Sequence, residues 1–529
     1  MTARSDNNRV VVIGSGFGGL AAAIRLQARG YRVTIVDQRD QPGGRAYVYR
    51  KPWQDPRDPS RQGSFVFDGG PTVVTAPFLF EELFELAGQK MDEHLQLVPV
   101  DPFYRIRFHD GRCFDYRGDP ERMIEEVRRF SPGDVDGYQR FVTASEKIFR
   151  TGFEELADVP FSRALDMLRI APAMIKLKSY QTVAQMAASF VKSDELRTIL
   201  SFHPLLVGGN PYKTTSIYAL ILYLERKWGV WFAKGGTGAI VNALCTLFTS
   251  MGGELHQSTR VEEIVVESGM DRPRVRGVRV AGGQVLPADL VVSNADVGFT
   301  YRHLLPEYAR QKYTNERVER LRYSMGLFVG YFGATKTFDD CAHHVILLGP
   351  RYRGLLDDIF TNKRLADDFS LYLHRPTKTD PSLAPPGCDT FYVLSPVPHL
   401  GADQPVDWRR EGPGYRDKIY RYLEDTMLPG LSASLVDSHY ITPEHFRDDL
   451  SSLYGSGFSV EPVLTQSAYL RPHNQSEDVD GLFFVGGGTH PGAGMPGVLS
   501  TAKVVDRLIP RLPGAPRGAA IAGSHAGTP

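Results

Sequence analysis

A short apolar run followed by three spaced glycines limits this chain more than any other feature. Val10 to Ile13 is β-branched, uninterrupted and closed by glycine, the pattern of a parallel strand covered on both faces. Gly14-Ser15-Gly16-Phe17-Gly18-Gly19 follows, with glycine at the fingerprint positions 14, 16 and 19. In such a loop the first glycine permits a tight turn and the second lets backbone approach a pyrophosphate. The third lets the next helix lie close to the strand. Leu20 to Arg29 is Ala-rich and amphipathic, and Gly30 is placed to end that helix. Tyr31 to Val36 reads as a second strand ending at Asp37, whose carboxylate is placed to accept hydrogen bonds from ribose hydroxyls. A lone glycine triplet says little, because glycine turns recur in unrelated loops. Strand, triplet, helix, strand and acid in this order predict a dinucleotide-binding α/β unit.

Three further glycine clusters extend the pattern. Pro42-Gly43-Gly44-Arg45 lies just past the second strand, where a nicotinamide enzyme has no particular need of it. Asp68-Gly69-Gly70-Pro71-Thr72 follows the strand Ser64 to Phe67; it reads as a β-turn with a local aspartate cap, or as backbone brought close to a planar ring. Near the other end, Gly481 to Val485 reads as a buried strand running into Gly486-Gly487-Gly488-Thr489-His490, and Val498 to Leu508 as a helix. That loop again opens a helix, whose free N–H groups and positive dipole end can face an anion. Between these ends, a helix over Ala239 to Phe248 and strands over Glu254 to His256, Arg260 to Val266, Arg274 to Val280, Gln284 to Leu286 and Asp289 to Ala295 imply a chain that leaves the dinucleotide unit and returns to it.

Composition narrows the classes. A chain of 529 residues is too long for one core, so two or three interleaved domains are expected. Lys+Arg and Asp+Glu both number 61, which lacks the basic excess of a nucleic-acid binder. The four cysteines, Cys113, Cys245, Cys341 and Cys388, form no CxxC pair, so no metal site or disulfide framework is expected. The N-terminus has no apolar signal region, and no run is long enough to span a bilayer. Any membrane contact is therefore expected to be peripheral, at the cytoplasmic side of the cell membrane.

The chain resembles the bacterial phytoene desaturases, within the carotenoid desaturases and amine-oxidase-like flavoproteins. The segments that carry the likeness are VVIGSGFGGLAAAIRLQARG, DQRDQPGGRAYVY, FDGGPTVVT, LLVGGNP, WGVWFAKGGTGA, FSVEPVLTQSA and FFVGGGTHPGAGMPGV, spread from Val10 to Leu508. Two departures from flavoproteins at large stand out. Asp37 takes a place where Glu is common, and the C-terminal loop has no Gly-Asp pair, which desaturases of this type commonly lack too. The likeness implies an α/β fold: a Rossmann-like FAD-binding domain of the two-dinucleotide-binding-domain type, an inserted α+β substrate domain and a helical membrane-associating region. FAD-binding parts are expected at 1–95, 231–300 and 466–510, a helical substrate and membrane region at 96–230, the substrate sheet at 301–465 and a disordered tail at 511–529.

The resemblance further implies one non-covalent FAD and no metal. Its contacts would come from Gly14, Gly16, Phe17, Gly18, Gly19, Asp37, Gly44, Arg45 as pyrophosphate counter-ion, Gly70, Pro71, Thr72, Val261, Gly487, Gly488, Met495 and Val498. The implied substrate is phytoene, a long apolar polyene, and the product neurosporene or lycopene, with oxygen or a quinone as electron acceptor. Asp166 and Arg169 match residues proposed as acid and base in similar desaturases, although their spacing equally fits a helical ion pair; His490 and His203 are alternatives. Tyr218, Tyr223, Trp228, Trp231 and Phe232 are candidate tunnel lining, with ordinary core packing the bland reading of each. Phe161 to Phe190 mixes apolar residues with Arg163, Arg169, Lys176 and Lys178, as a helix on an anionic lipid surface would. A related desaturase of hydroxylated or C30 substrates, an amine oxidase, and a non-catalytic prenyl-binding escort module on the same fold are the rival readings. Homo-oligomerisation is left open.

Overall fold

Along the first strand, Val10 and Val12 face one layer and Val11 and Ile13 the other, so both faces of the sheet it founds are covered. A computed structural model describes residues 8–268 and 271–512; the tail expected to be disordered falls, from residue 513 on, outside them. The strand β1 (Arg9–Ile13), the helix α1 (Phe17–Ala28) and the strand β2 (Arg32–Val36) form the opening βαβ unit. The helix α2 (Thr237–Ser250), strands β3 (Glu254–His256), β4 (Leu290–Ser293) and β5 (Leu482–Phe484), and the helix α3 (Met495–Leu508) complete it. The sheet order is β5-β4-β1-β2-β3, parallel throughout. Helices α1, α2 and α3 cover one face, and an antiparallel sheet of Val261–Glu267, Arg274–Val280 and Val285–Pro287 lies on the other.

Both glycine loops feed their helices earlier than periodicity predicts. Helix α1 starts at Phe17 rather than Leu20, with Gly16 extended as its N-cap. Helix α3 starts at Met495 rather than Val498, with Gly494 as N-cap and Pro496 in its first turn, where the missing N–H costs nothing. A glycine loop has no side-chain periodicity, which hides its helical start.

A second sheet of seven strands lies apart, in the order Leu435–Ile441, Gly326–Ala334, Asp389–Val397, Leu371–His374, His344–Leu348, Tyr104–Phe108, Cys113–Tyr116. Only the pair His344–Leu348 and Tyr104–Phe108 is parallel. Its last two strands come from the stretch read as helical, and their alternating burial lets them pair at the sheet edge. Phe161 to Phe190 is also not one helix: Lys178, at φ 53°, ends Ala164–Lys176, and a Thr182–Gln185 capping box starts Val183–Phe190. Among the described residues no helix is long and apolar enough to cross a membrane.

The closest approach in the fold is at Gly19, where an added Cβ would overlap the carbonyl oxygen of Gly14 and press on Asn294. Neither neighbour is a flexible side-chain end. Gly19→Ala is therefore expected to lower stability by about 3 kcal/mol, by forcing α1 off the strand. Urea unfolding checks this, and an unchanged midpoint would contradict the packing described.

Candidate functional site

The two ends of the chain meet at Gly18. A Cβ there would come within 3.2 Å of the Gly486 nitrogen and 3.1 Å of Val498 Cγ1. Asn294, just beyond β4, is wedged between them: it would stand 2.7 Å from a Cβ at Gly16 through Nδ2 and 2.7 Å from one at Gly18 through Oδ1. Side chains at either position would drive the loops apart, so glycine here is a matter of space.

Asp37 is held by the loop it faces. Its Oδ2 accepts from Ser15 N at 2.7 Å and Ser15 Oγ at 2.5 Å, and its Oδ1 from Arg39 N at 2.9 Å. The carboxylate is buried yet borders the cavity below, with geometry fixed in advance. Arg45 borders it too. Its guanidinium is buried, meets only Ser452 Oγ at 3.4 Å, and leaves Nε without a partner. Burial pulls its pKa down, opposed by the nearby Asp296. A buried cation with an idle N–H beside open glycine backbone suits an anion such as a pyrophosphate.

These groups line one end of a single cavity of about 540 Å³. Gly14, Gly16, Phe17, Asp37, Gly44, Arg45, Gly70, Pro71, Thr72, Val261, Gly487, Gly488, Met495 and Val498 all border it. Gly18 and Gly19 do not; they sit behind the loop as packing positions. The other end is apolar, bounded by Ile170, Met174, Leu206 and Ile217 on the helical side and by Leu327, Ile346 and Leu394 of the seven-stranded sheet.

The acid and base candidates part company. Asp166 and Arg169 are not at the cavity. Asp166 Oδ2 accepts from Arg163 N at 3.1 Å, capping its own helix start, and Arg169 is exposed. Neither is placed to exchange a proton with a guest. His490 does border the cavity; its Nε2 donates to the Leu156 carbonyl at 3.0 Å, and burial lowers its pKa to about 4. The donation assigns the proton to Nε2 and leaves Nδ1 as the lone pair. His203 is buried against Glu225 at 3.2 Å, outside the cavity.

Of the five aromatic candidates only Tyr218 borders the cavity. Tyr223 and Trp228 pack on Phe149, Trp231 Nε1 donates to the Trp228 carbonyl at 2.6 Å, and Phe232 meets His343 edge-on. Core packing uses those four. Sequence reading missed Asn294, Ser15, Tyr372 and Tyr392, because no motif marks a lone polar residue. It also missed Arg471, which is fully buried and donates to the carbonyls of Thr489, Gln466, Val460 and Gly487, thereby holding the C-terminal glycine loop. Its neighbours in Arg471-Pro472-His473-Asn474 were the available signal, since Asn474 braces the same loop at Thr489 and His490.

Comparison with known proteins follows this geometry. The sequence model of the flavin containing amine oxidoreductase family matches residues 17–505. A lycopene-forming phytoene desaturase of Pseudescherichia vulneris is 51% identical over 501 residues, covering 95% of this chain and 99% of the relative. A neurosporene-forming phytoene desaturase of Cereibacter sphaeroides is 46% identical over 518 residues, covering 97% of each. Among solved structures, cyclohexylamine oxidase from Brevibacterium oxydans superposes with a TM-score of 0.56 at 16% identity, over 95% of this chain and 98% of that one. The last likeness speaks to the fold alone.

Asp68 supplies a pH test of the site's frame. It is buried between the Gly69-Gly70 turn and the start of α2, accepts from Thr237 N at 2.9 Å, and leaves Oδ2 unpartnered. Burial raises its pKa to about 6, against hydrogen bonds from Thr237 and Gly238 that lower it. The folded state therefore holds this proton more tightly than the unfolded chain. The stability it contributes is complete below the unfolded pKa and lost as pH rises through about 6. Relative to Asp68→Asn, the wild type is expected to lose about 3 kcal/mol between about pH 4 and pH 7. Urea midpoints across that range check it, and a constant difference would refute the raised value.

Proposed function

The chain belongs to the phytoene desaturase family of flavin-containing amine oxidoreductases, and on that premise we propose that it desaturates phytoene to lycopene or neurosporene with FAD. The observation that carries the reading is continuity: the anion-ready glycine cradle and the apolar chamber are one cavity. A hydrocarbon with no polar handle can be held only by shape and apolar contact, and the chamber offers both. Bound FAD would supply the acceptor for the hydride removed from the polyene.

The chain's own residues do the rest. Asp37, locked by Ser15, would take the ribose hydroxyls; Arg45, with its idle Nε, would face the pyrophosphate. The positive end of α3 and the Gly486-Gly487-Gly488 backbone, braced by Arg471, would face the edge of the ring where negative charge collects. The apolar walls exclude water and keep a C–C bond beside the ring, so positioning supplies much of the rate. His490 can hold a proton at Nδ1, but its Nε2 ends on a backbone carbonyl, which passes no proton onward.

A membrane-facing entrance completes the reading. The Ala164–Lys176 helix turns Ile170 and Met174 to the chamber, while Leu165, Leu168 and Ile175 on it stand 62%, 69% and 67% exposed. Exposed Tyr180, Leu464 and Leu470 extend the patch, and the helix packs against Ala468–Leu470. Arg163, Arg169 and Lys176 fringe it. Apolar tips with basic neighbours support contact with an anionic leaflet, peripheral to the cell membrane, from which the polyene would enter. Oxygen or a quinone would be the electron acceptor of the reaction.

Incubation with phytoene in liposomes, FAD and a quinone is expected to yield the visible bands of lycopene or neurosporene. Unchanged phytoene, with both oxygen and quinone tried, would overturn the reading. The double variant Leu165→Asp/Leu168→Asp is expected to weaken sedimentation with anionic vesicles about tenfold or more, since two exposed leucines no longer enter the interface. FAD binding should persist, and undiminished vesicle binding would remove this helix from the contact.

A further inference from the structure

A desaturation that releases a proton into an apolar chamber needs a way out for it, and a row of polar side chains, hydrogen-bonded except at the step between His344 and His343, leads from the chamber toward the surface. Thr72 Oγ1 and the hydroxyls of Tyr372 and Tyr392 meet at the chamber wall, at 3.0 Å and 3.1 Å. Tyr392 also stands 3.1 Å from the Gly70 carbonyl, so its single O–H goes to that carbonyl or to Thr72 Oγ1; with Thr72 donating to Tyr372, it goes to Thr72. The Tyr372 hydroxyl stands 2.6 Å from His344 Nδ1. His344 is buried in the seven-stranded sheet beside His343 and His374, and one ring nitrogen of each lies within 4.8 Å of the others. The Nε2 atoms of His343 and His344 have no hydrogen-bond partner. His343 Nδ1 stands 2.6 Å from Thr379 Oγ1, and Thr379 is partly exposed.

We propose that Thr72, Tyr372, His344, His343 and Thr379 form a proton exit from the chamber. This rests on the desaturase reading above. One set of protons points every hydrogen-bonded donor outward: Thr72 to Tyr372, Tyr372 to His344 Nδ1, and His343 Nδ1–H to Thr379. Between them His344 and His343 lie edge to face with ring centroids 4.4 Å apart, and the proton crosses that step when the rings turn toward each other. In each desaturation one hydrogen leaves the polyene as a hydride to the oxidant of that reaction. Its neighbour leaves as a proton, and the electron pair of that C–H bond becomes the new π bond. The proton enters at Thr72, each member passes its own proton on, and one proton emerges at Thr379. Imidazole suits the middle of such a row, because it accepts at one nitrogen while releasing from the other.

Burial lowers the pKa of all three imidazoles, that of His343 to about 3 with Arg375 adding to the effect there, and keeps them neutral at rest. Arg375 is itself paired with Asp389 Oδ2 at 2.9 Å, so no loose charge faces the rings. His490 offers no rival route, since its chain stops at the Leu156 carbonyl.

The test uses the full chain with FAD and phytoene in liposomes, and measures anaerobic single-turnover rates in H2O and D2O. Tyr372→Phe breaks the row at the wall. Thr379→Val breaks it at the surface, outside the chamber, where a merely structural role would leave the chemistry alone. Each is expected to slow turnover about 10²-fold at unchanged apparent affinity for phytoene, and to enlarge the solvent isotope effect. FAD titration and melting temperature report whether each variant is folded; should Tyr372→Phe fold poorly, Thr379→Val decides. Wild-type rate and isotope effect in a folded Thr379→Val would overturn the exit while leaving the desaturase reading intact. A wild type inert toward phytoene would overturn the reading itself. One equivalent of tightly held zinc or copper in the purified protein, lost on His344→Gln, would also overturn the exit by making the histidines ligands.

Discussion

The wedge of Asn294 between two glycine loops is the contact on which the molecule depends. Gly16 and Gly18 on one side and Gly486 on the other approach it so closely that no side chain fits between. This contact joins the two ends of the chain, and the two glycine loops of the cradle take their spacing from it. Asp37 is held through Ser15 of the first loop, and Gly487 through Arg471 beneath the second. A cofactor site assembled from backbone rather than from long side chains loses little entropy on binding, because its donors are already ordered.

Much of this was legible in the sequence, and the reason is steric. Glycine at 14, 16 and 19, a β-branched strand before them and an acid after β2 leave few other folds open, and the first βαβ unit forms in the order read, its strands within one residue of the expected ends and its helix starting three residues early. The parallel sheet was legible too, because its central strands, β1 and β4, are apolar runs on both faces. Helix starts were misjudged where glycine loops carry no pattern, at Phe17 and Met495. Two strands, Tyr104–Phe108 and Cys113–Tyr116, were lost in a stretch read as helical: they pair with each other, and only the first joins a partner far along the chain, His344–Leu348.

The site divides in the same way. Residues that touch the cavity through backbone were found, because backbone sites leave glycine motifs. Side chains next to such a motif, Asp37 and Arg45, were found with it, and those far from any motif were not. Asp166 and Arg169 carry a persuasive spacing, yet Asp166 caps its own helix start through Arg163 N and Arg169 faces solvent. Arg471, Asn294 and the tyrosines of the chamber wall come from scattered positions that only the folded chain brings together. Aromatic residues mislead for the opposite reason: the core needs them as much as a tunnel does, and four of the five went to the core.

The parallel sheet has one more implication, for the order in which the protein can come into being. Its strands come from the first forty residues, from the middle and from residues 482–484, and the last covering helix runs to Leu508. During synthesis the opening βαβ unit must wait, with its glycine loop lacking the opposing loop and its helix only half covered, until almost the whole chain has left the ribosome. No partial product can therefore close the cradle, and a chain cut short by some fifty residues would forfeit it whole rather than in proportion.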